Sequence, residues 1–204
     1  CKMLNEAVLD VKGERREEDS FETVIDMEVD AYIPATYIRN EVQKLDMYKR
    51  VACIASEEDY DDLMEELIDQ GAENIDLVTP THFLPGILPA LEEKLPVPVV
   101  YNCGGYERVE ALKMLEGKVD IYLPDMKYAD NALAQRLSGA KDYFAVAAAA
   151  IREMVRQVGA PQWEGEKLRK GVIIRHLILP GQVENSLKVL DWIGDTFGSG
   201  EVLV

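Results

Sequence analysis

Beyond Gly71 the chain repeats one pattern four times: a short apolar run closed by Pro, Gly or a polar residue, then a longer stretch with apolar positions at helical spacing. Strands are expected at 75–78, 96–101, 119–123 and 172–179. Helices are expected at 83–95, 107–115, 131–137 with 144–158, and 183–197, and a fifth strand begins at 201–204. Residues 161–171 read as a loop. Parallel strands need a crossover, and strand–helix–strand crossovers are right-handed, so the pattern restricts this part to a parallel α/β sheet that curls toward a partial (β/α) barrel.

In such a sheet the carboxyl ends of the strands carry the chemistry. The residues placed there are Thr79, Thr81 and His82; Asn102, Cys103, Gly104 and Gly105; Asp125 and Lys127; and Arg175 and His176, followed by Pro180-Gly181. The stretch around Asp125 is the most specific, since Val119, Ile121 and Leu123 alternate with polar groups before Pro124 breaks the run. Glycine lets a backbone approach a ligand closely, and carboxylates beside cations suit a zwitterion bearing an amine and a carboxylate. Each residue also has an ordinary alternative: Asp125 and Lys127 solvated on a turn, His82 and His176 hydrogen-bonded within the fold, Cys103 a small packed side chain.

The first 70 residues differ. They hold 20 acids and 8 bases, whereas the remainder holds 18 and 14, within a net charge of −16. Residues 1–9 read as helical turns, 14–20 as a charged loop and 23–29 as a strand ended by Pro34. Thr36 could cap a helix whose apolar stripe is Ile38, Val42, Leu45, Met47, Tyr48 and Val51. Ser56 followed by Glu57, Glu58 and Asp59 is a second cap, for a helix running to about Gln70. The division expected is a small α+β unit at 1–70 and a partial barrel at 71–204.

Composition narrows the function classes. So acidic a chain lacks the clustered Lys and Arg that grip phosphates, so no direct hold on nucleic acid is expected. No apolar run approaches membrane-spanning length, and a soluble, cytoplasmic protein is expected. Cys1, Cys53 and Cys103 are too sparse for a disulfide framework or a metal motif.

Two resemblances add to this. Cys-Lys-Met-Leu-Asn-Glu-Ala-Val at 1–8, Asp-Ala-Tyr-Ile-Pro at 30–34, Leu-Asp-Met-Tyr-Lys-Arg at 45–50 and Ser-Glu-Glu-Asp at 56–59 resemble the carboxyl-terminal region of bacterial transcription-repair coupling factors. That resemblance implies regulatory contact with the rest of such a protein, outside its translocase motor, or with a protein partner through residues 1–70. No Gly-x-x-x-x-Gly-Lys-Ser/Thr loop occurs, so ATP hydrolysis is not assigned.

Gly-Ala-Glu-Asn-Ile-Asp-Leu-Val-Thr-Pro-Thr-His-Phe at 71–83, Val-Val-Tyr-Asn-Cys-Gly-Gly-Tyr-Glu-Arg-Val-Glu at 99–110, Val-Asp-Ile-Tyr-Leu-Pro-Asp-Met-Lys-Tyr at 119–128 and Ile-Arg-His-Leu-Ile-Leu-Pro-Gly at 174–181 resemble radical S-adenosylmethionine proteins related to the pyruvate formate-lyase activating enzyme. This resemblance implies S-adenosylmethionine and a [4Fe–4S] cluster as cofactors, with Thr79, Thr81 and His82 near the methionine end, Asn102 and Gly104 near the ribose, Asp125 and Lys127 in the polar wall, Arg175 close to the carboxylate, and His176 also among the cofactor-binding residues. The three-cysteine loop that holds such a cluster is absent, so cluster binding is not expected. The sequence therefore reads as a fusion of two unrelated fragments. The main expectation is a catalytically inactive piece of a radical S-adenosylmethionine protein, and whether the chain is an enzyme is left open. The alternatives are an interaction module of a transcription-repair coupling factor and a chain with no selected activity.

Overall fold

The computed structural model describes residues 56–204, together with Val42, Leu45, Lys49 and Ile54. The chain forms two compact units, Cys1–Cys53 and Ile54–Val204. In the first, Val42, Leu45 and Lys49 are helical and exposed. The turns expected at 1–9, the loop at 14–20, the strand at 23–29 and the Thr36 cap lie outside the described residues.

The second unit opens with α1 (Glu57–Asp69). Ser56 and Asp59 form a reciprocal cap: the Ser56 hydroxyl accepts from the Asp59 amide at 3.2 Å, and the Asp59 carboxylate accepts from the Ser56 amide at 3.0 Å. Such a cap contributes ~1 kcal/mol. At the other end Gly71, at φ 94, lets the Gly71 and Ala72 amides return to the Ile68 and Leu67 carbonyls.

The βα pattern follows. β1 (Ile75–Val78) leads into a 3-10 turn (Pro80–Phe83) and α2 (Leu84–Ala90); β2 (Val99–Cys103) into α3 (Val109–Lys113); β3 (Ile121–Pro124) into α4 (Asn131–Ser138) and α5 (Tyr143–Val158). β4 (Gln162–Glu164) and β5 (Lys167–Val172) form a hairpin before α6 (Val183–Thr196). The sheet order is β1-β2-β3-β5-β4, with β4 antiparallel and the other neighbours parallel. Four parallel strands in chain order, each followed by a helix, are the expected α/β architecture.

The register of Leu77 with Tyr101 and Tyr122 with Val172 aligns alternate residues on one sheet face. Val99, Tyr101, Cys103, Tyr122, Val172 and Ile174 share a single core with Leu112, Leu133, Ala147, Ile151, Met154 and Val189 of the helices. Helices α2 to α6 therefore cover one face. On the other face Asp76, Val100, Ile121, Leu123 and Ile173 line an open cavity of about 350 Å³, which the hairpin residues Lys167–Arg169 border at the amino ends of the strands.

Several boundaries depart from the sequence expectation. The helix expected at 83–95 is a 3-10 turn and seven α-helical residues, because Pro89 has no amide to donate. The strand expected at 96–101 runs at Val99–Cys103, since Pro96 and Pro98 offer no ladder donor. The loop expected at 161–171 is a hairpin, turned by Gly165 at φ 60. The strand expected at 172–179 ends at Val172 as a ladder and continues only through isolated bridges, Ile173 to Leu203 and Asp125 to Arg175. The start of a fifth parallel strand at 201–204 is accordingly one bridge at Leu203.

Candidate functional site

Strand register brings Asn102, Asp125 and Arg175 to neighbouring strand ends. The Arg175 amide donates to the Pro124 carbonyl at 2.9 Å and the Met126 amide to the Arg175 carbonyl at 2.8 Å, which carries β3 two residues past its ladder. The side chains then form a line across the mouth. Asn102 donates to the Asp76 carboxylate at 3.3 Å and accepts from the Arg175 guanidinium at 2.8 Å. Asp125 pairs with Arg175 at 2.8 Å and with Lys127 at 3.1 Å. Two acids and two cations alternate around one amide, so the line carries no net charge. Its pairs are partly solvated and contribute ~1 kcal/mol or less each, which leaves them free to exchange partners with a ligand. Gly104 lies beside it, where a Cβ would stand 3.8 Å from the Lys127 ammonium.

The loop beneath is held by one hydroxyl. Tyr143 of α5, almost fully buried, accepts from the Lys127 amide at 3.0 Å and points its O–H between the Gly104 and Asp125 carbonyls at 3.1 and 3.0 Å. Burial pushes its phenol well above the ordinary range. Gly105, at φ 77, lies against the same carbonyl: a Cβ there would fall 1.9 Å from the Asp125 oxygen.

The first strand end is built differently. Thr79 sits at φ 51, a left-handed conformation costly for a β-branched residue. The turn places the Thr81 hydroxyl on both oxygens of Glu107, at 2.8 and 3.0 Å, and 3.1 Å from the Tyr101 hydroxyl. Glu107 is buried, and burial raises its carboxyl above the usual glutamate range although the Thr81 bond opposes this. Thr81 is thus engaged by the fold, while Thr79 and His82 are exposed.

Of the nine residues that the second resemblance ties to a cofactor, Asn102, Gly104, Asp125, Lys127 and Arg175 meet at one place. His176 follows the ordinary alternative, its ring nitrogens 2.6 Å from the Met126 carbonyl and 2.9 Å from the Ser186 hydroxyl. Cys103 does likewise: it is buried in the core, and desolvation pushes its thiol up to about 12. Asp76, Glu107 and Tyr143 are absent from the sequence-derived set. Asp76 shares a face with Asn102 two residues before the strand's end, a signal readable once the register is known.

These features define a class: a parallel α/β sheet in chain order, with helices on one face and a charge-balanced polar mouth at its carboxyl ends. The family comparison points elsewhere in the chain. The TRCF domain family matches residues 27–73. The chain is 48% identical over 68 residues to the transcription-repair-coupling factor of Bacillus subtilis (strain 168), covering 33% of this chain and 6% of that protein. It is 42% identical over 69 residues to the transcription-repair-coupling factor of Staphylococcus haemolyticus, covering 33% of this chain and again 6% of the relative. It is also 32% identical over 109 residues to an uncharacterized protein of Methanocaldococcus jannaschii, covering 53% of this chain and 28% of that one. No solved structure matches significantly. The chain thus carries a TRCF-like segment and spans a small part of each of these relatives.

The cofactors implied by the second resemblance are corrected by these findings. The family match is to the TRCF domain, and neither it nor these relatives names a radical S-adenosylmethionine protein. Nor do the residues fit a [4Fe–4S] cluster. Among the described residues no group of three or more His, Cys, Asp and Glu side chains could hold a metal ion, and Cys103 is a buried, protonated thiol. Among them, too, no helix is long and apolar enough to cross a membrane.

Proposed function

We propose that the chain acts through its TRCF-like segment as a protein-interaction module of the transcription-repair coupling type, contacting a protein partner in DNA repair. The observation that carries this is the match at residues 27–73 together with 48% identity over 68 residues. Within that segment α1 turns Glu58, Asp61, Asp62 and Glu65 outward, so the contact is with a basic protein surface. The test immobilises the full chain and passes over it the purified translocase portion of a transcription-repair coupling factor. Salt-sensitive binding is expected, lost when those four acids are changed to Lys together. Absence of binding, or binding indifferent to the charge reversal, refutes the proposal.

A second activity is proposed for the mouth, on the observation that Asp76, Asn102, Arg175, Asp125 and Lys127 form a continuous balanced line. This line, with Gly104 beside it, would take a small zwitterion, its carboxylate toward Arg175 and its amine toward Asp125. Thr79 and His82, both exposed, would shape the rim, whereas Thr81 and His176 are engaged by the fold. Free α-amino acids, titrated while amide shifts are followed by NMR, are expected to perturb 102–104 and 125–127, and Arg175→Ala to abolish the response. Shifts unaltered in that variant would refute it.

A further inference from the structure

We infer that Glu107 is a proton-operated latch on the turn at 79–83: the turn is closed while the carboxyl holds its proton and opens when the proton leaves. The hydrogen-bond geometry carries this. Glu107 is buried in the loop between β2 and α3, and the Thr81 hydroxyl lies against both its oxygens, at 2.8 and 3.0 Å. A hydroxyl carries one proton. Against an ionised carboxylate that proton is divided between two oxygens, a thin substitute for the donors a buried charge needs. Against a neutral acid both contacts are full bonds: the Glu107 O–H donates to Thr81 Oγ1, and the Thr81 O–H donates to the Glu107 carbonyl oxygen. The Tyr101 hydroxyl, 3.1 Å away on a fully buried side chain, then donates to the second lone pair of Oγ1. All three groups are satisfied together only in the protonated form.

The surroundings supply no cation to hold the charge. Among the described residues no Lys or Arg pairs with Glu107, and the one positive group it feels is His82, exposed in the same turn. The other titratable groups facing it are Tyr101 and Cys103 of β2, whose hydroxyl and thiol burial pushes up and keeps neutral. Desolvation accordingly raises the Glu107 carboxyl above the usual glutamate range. Its contribution to the closed turn is complete below the unfolded-state carboxyl range and is lost as pH rises through its own folded-state value.

The turn is the side that moves. Tyr101 belongs to the core, whereas Thr79, His82 and Phe83 are exposed. The ends of the turn are anchored, the Thr79 amide on the Asn102 carbonyl at 2.8 Å and Leu84 in the core, so opening is confined to the segment that carries Thr81 and His82. Thr79 is the hinge: its left-handed backbone, at φ 51, is strained for a β-branched residue, and release of Thr81 lets it relax. Water then reaches the carboxylate through the gap. The latch needs no ligand in the mouth, though it moves one wall of it.

The test titrates the full chain with pH, following the Glu107 carboxyl by carbon-13 NMR and the Thr81, His82 and Phe83 amides by their chemical shifts. The carboxyl is expected to titrate above the usual glutamate range, and the three amides to shift with the same midpoint. Glu107→Gln, whose amide donates to Thr81 and whose carbonyl accepts from it as the neutral acid does, should fix the amides at their low-pH positions throughout. Thr81→Ser, which keeps the hydroxyl, should preserve the response, and Thr81→Val should abolish it. His82→Gln removes the other titrating group of the turn and should leave the response in place. A carboxyl that titrates in the ordinary range, amides that ignore its midpoint, a response that persists in Glu107→Gln, or one that disappears with His82→Gln overturns the inference. The parent titration decides the matter should a variant fail to fold.

Discussion

Replacing Tyr143 by Phe removes one oxygen atom and tests whether the mouth is held from below. The ring remains, so its stacking on Tyr106 at 5.8 Å and its edge contact with Tyr128 at 5.1 Å are kept. The hydroxyl's three partners are not: the Lys127 amide loses its acceptor, and the Gly104 and Asp125 carbonyls lose a shared donor. A buried group left without a partner costs ~1–3 kcal/mol. The carbonyls shared a single proton and recover part of their loss from solvent, so the expected destabilisation is about 2 kcal/mol. Both tryptophans, Trp163 and Trp192, lie in the second unit, so urea unfolding followed by their fluorescence reports on the unit that carries the mouth. The midpoint should fall with the slope unchanged, the melting temperature by about 4–8 °C, and the Lys127 amide should exchange faster. A loss under ~0.5 kcal/mol, or unchanged Lys127 exchange, would refute the idea that this hydroxyl organises the strand-end loop.

Three further outcomes are expected. Gly105→Ala should prevent normal folding of the second unit, or cost at least ~3 kcal/mol, because a left-handed backbone and a Cβ clash with the Asp125 carbonyl act together; a thermal transition like that of the parent would contradict this. Glu153 accepts two bonds from Arg156 and one from Gln157, which hold its carboxyl down at about 2. Its contribution to stability is therefore complete above the unfolded-state carboxyl range and lost as pH falls toward 2, so Glu153→Gln should flatten that part of the acid limb in pH-dependent urea melts. Cys103, buried and with its thiol at about 12, should resist iodoacetamide at neutral pH in the native chain and react once guanidinium unfolds it, as read by peptide mass mapping.

The alternation of apolar runs with amphipathic stretches was enough to place four βα units in order, because right-handed crossovers leave few topologies. Residues 75–78 were legible to the residue, bounded by Gly71 and Pro80. The hairpin at β4 and β5 was not: Glu164, Glu166, Lys167 and Lys170 crowd it with charge, β4 is exposed throughout and β5 is buried only at Gly171 and Val172, which leaves no periodicity to find. At the mouth, sequence could collect the residues that follow each strand but could not separate those facing outward from those turned into the fold. His176 and Arg175 are neighbours, yet one is spent on Met126 and Ser186 while the other reaches Asn102 and Asp125. Asp76 and Tyr143 needed the register and the packing of α5, which no local pattern encodes. The charge contrast between 1–70 and the rest accompanied a real TRCF match, whereas the cofactors drawn from the second resemblance did not survive the donor set.

The strands that run in chain order have a consequence for how such a protein can change over time. In a sheet ordered β1-β2-β3-β5, each βα unit leans only on the units immediately before and after it, as links in a chain do. Among the described residues β1 is an edge strand paired with β2, so exchanging what precedes it leaves these ladders as they were. A doubly wound sheet, where the first strand lies in the middle, would lose its centre by the same exchange. In an α/β layer of this kind the cost of a new leading segment is confined to its first link.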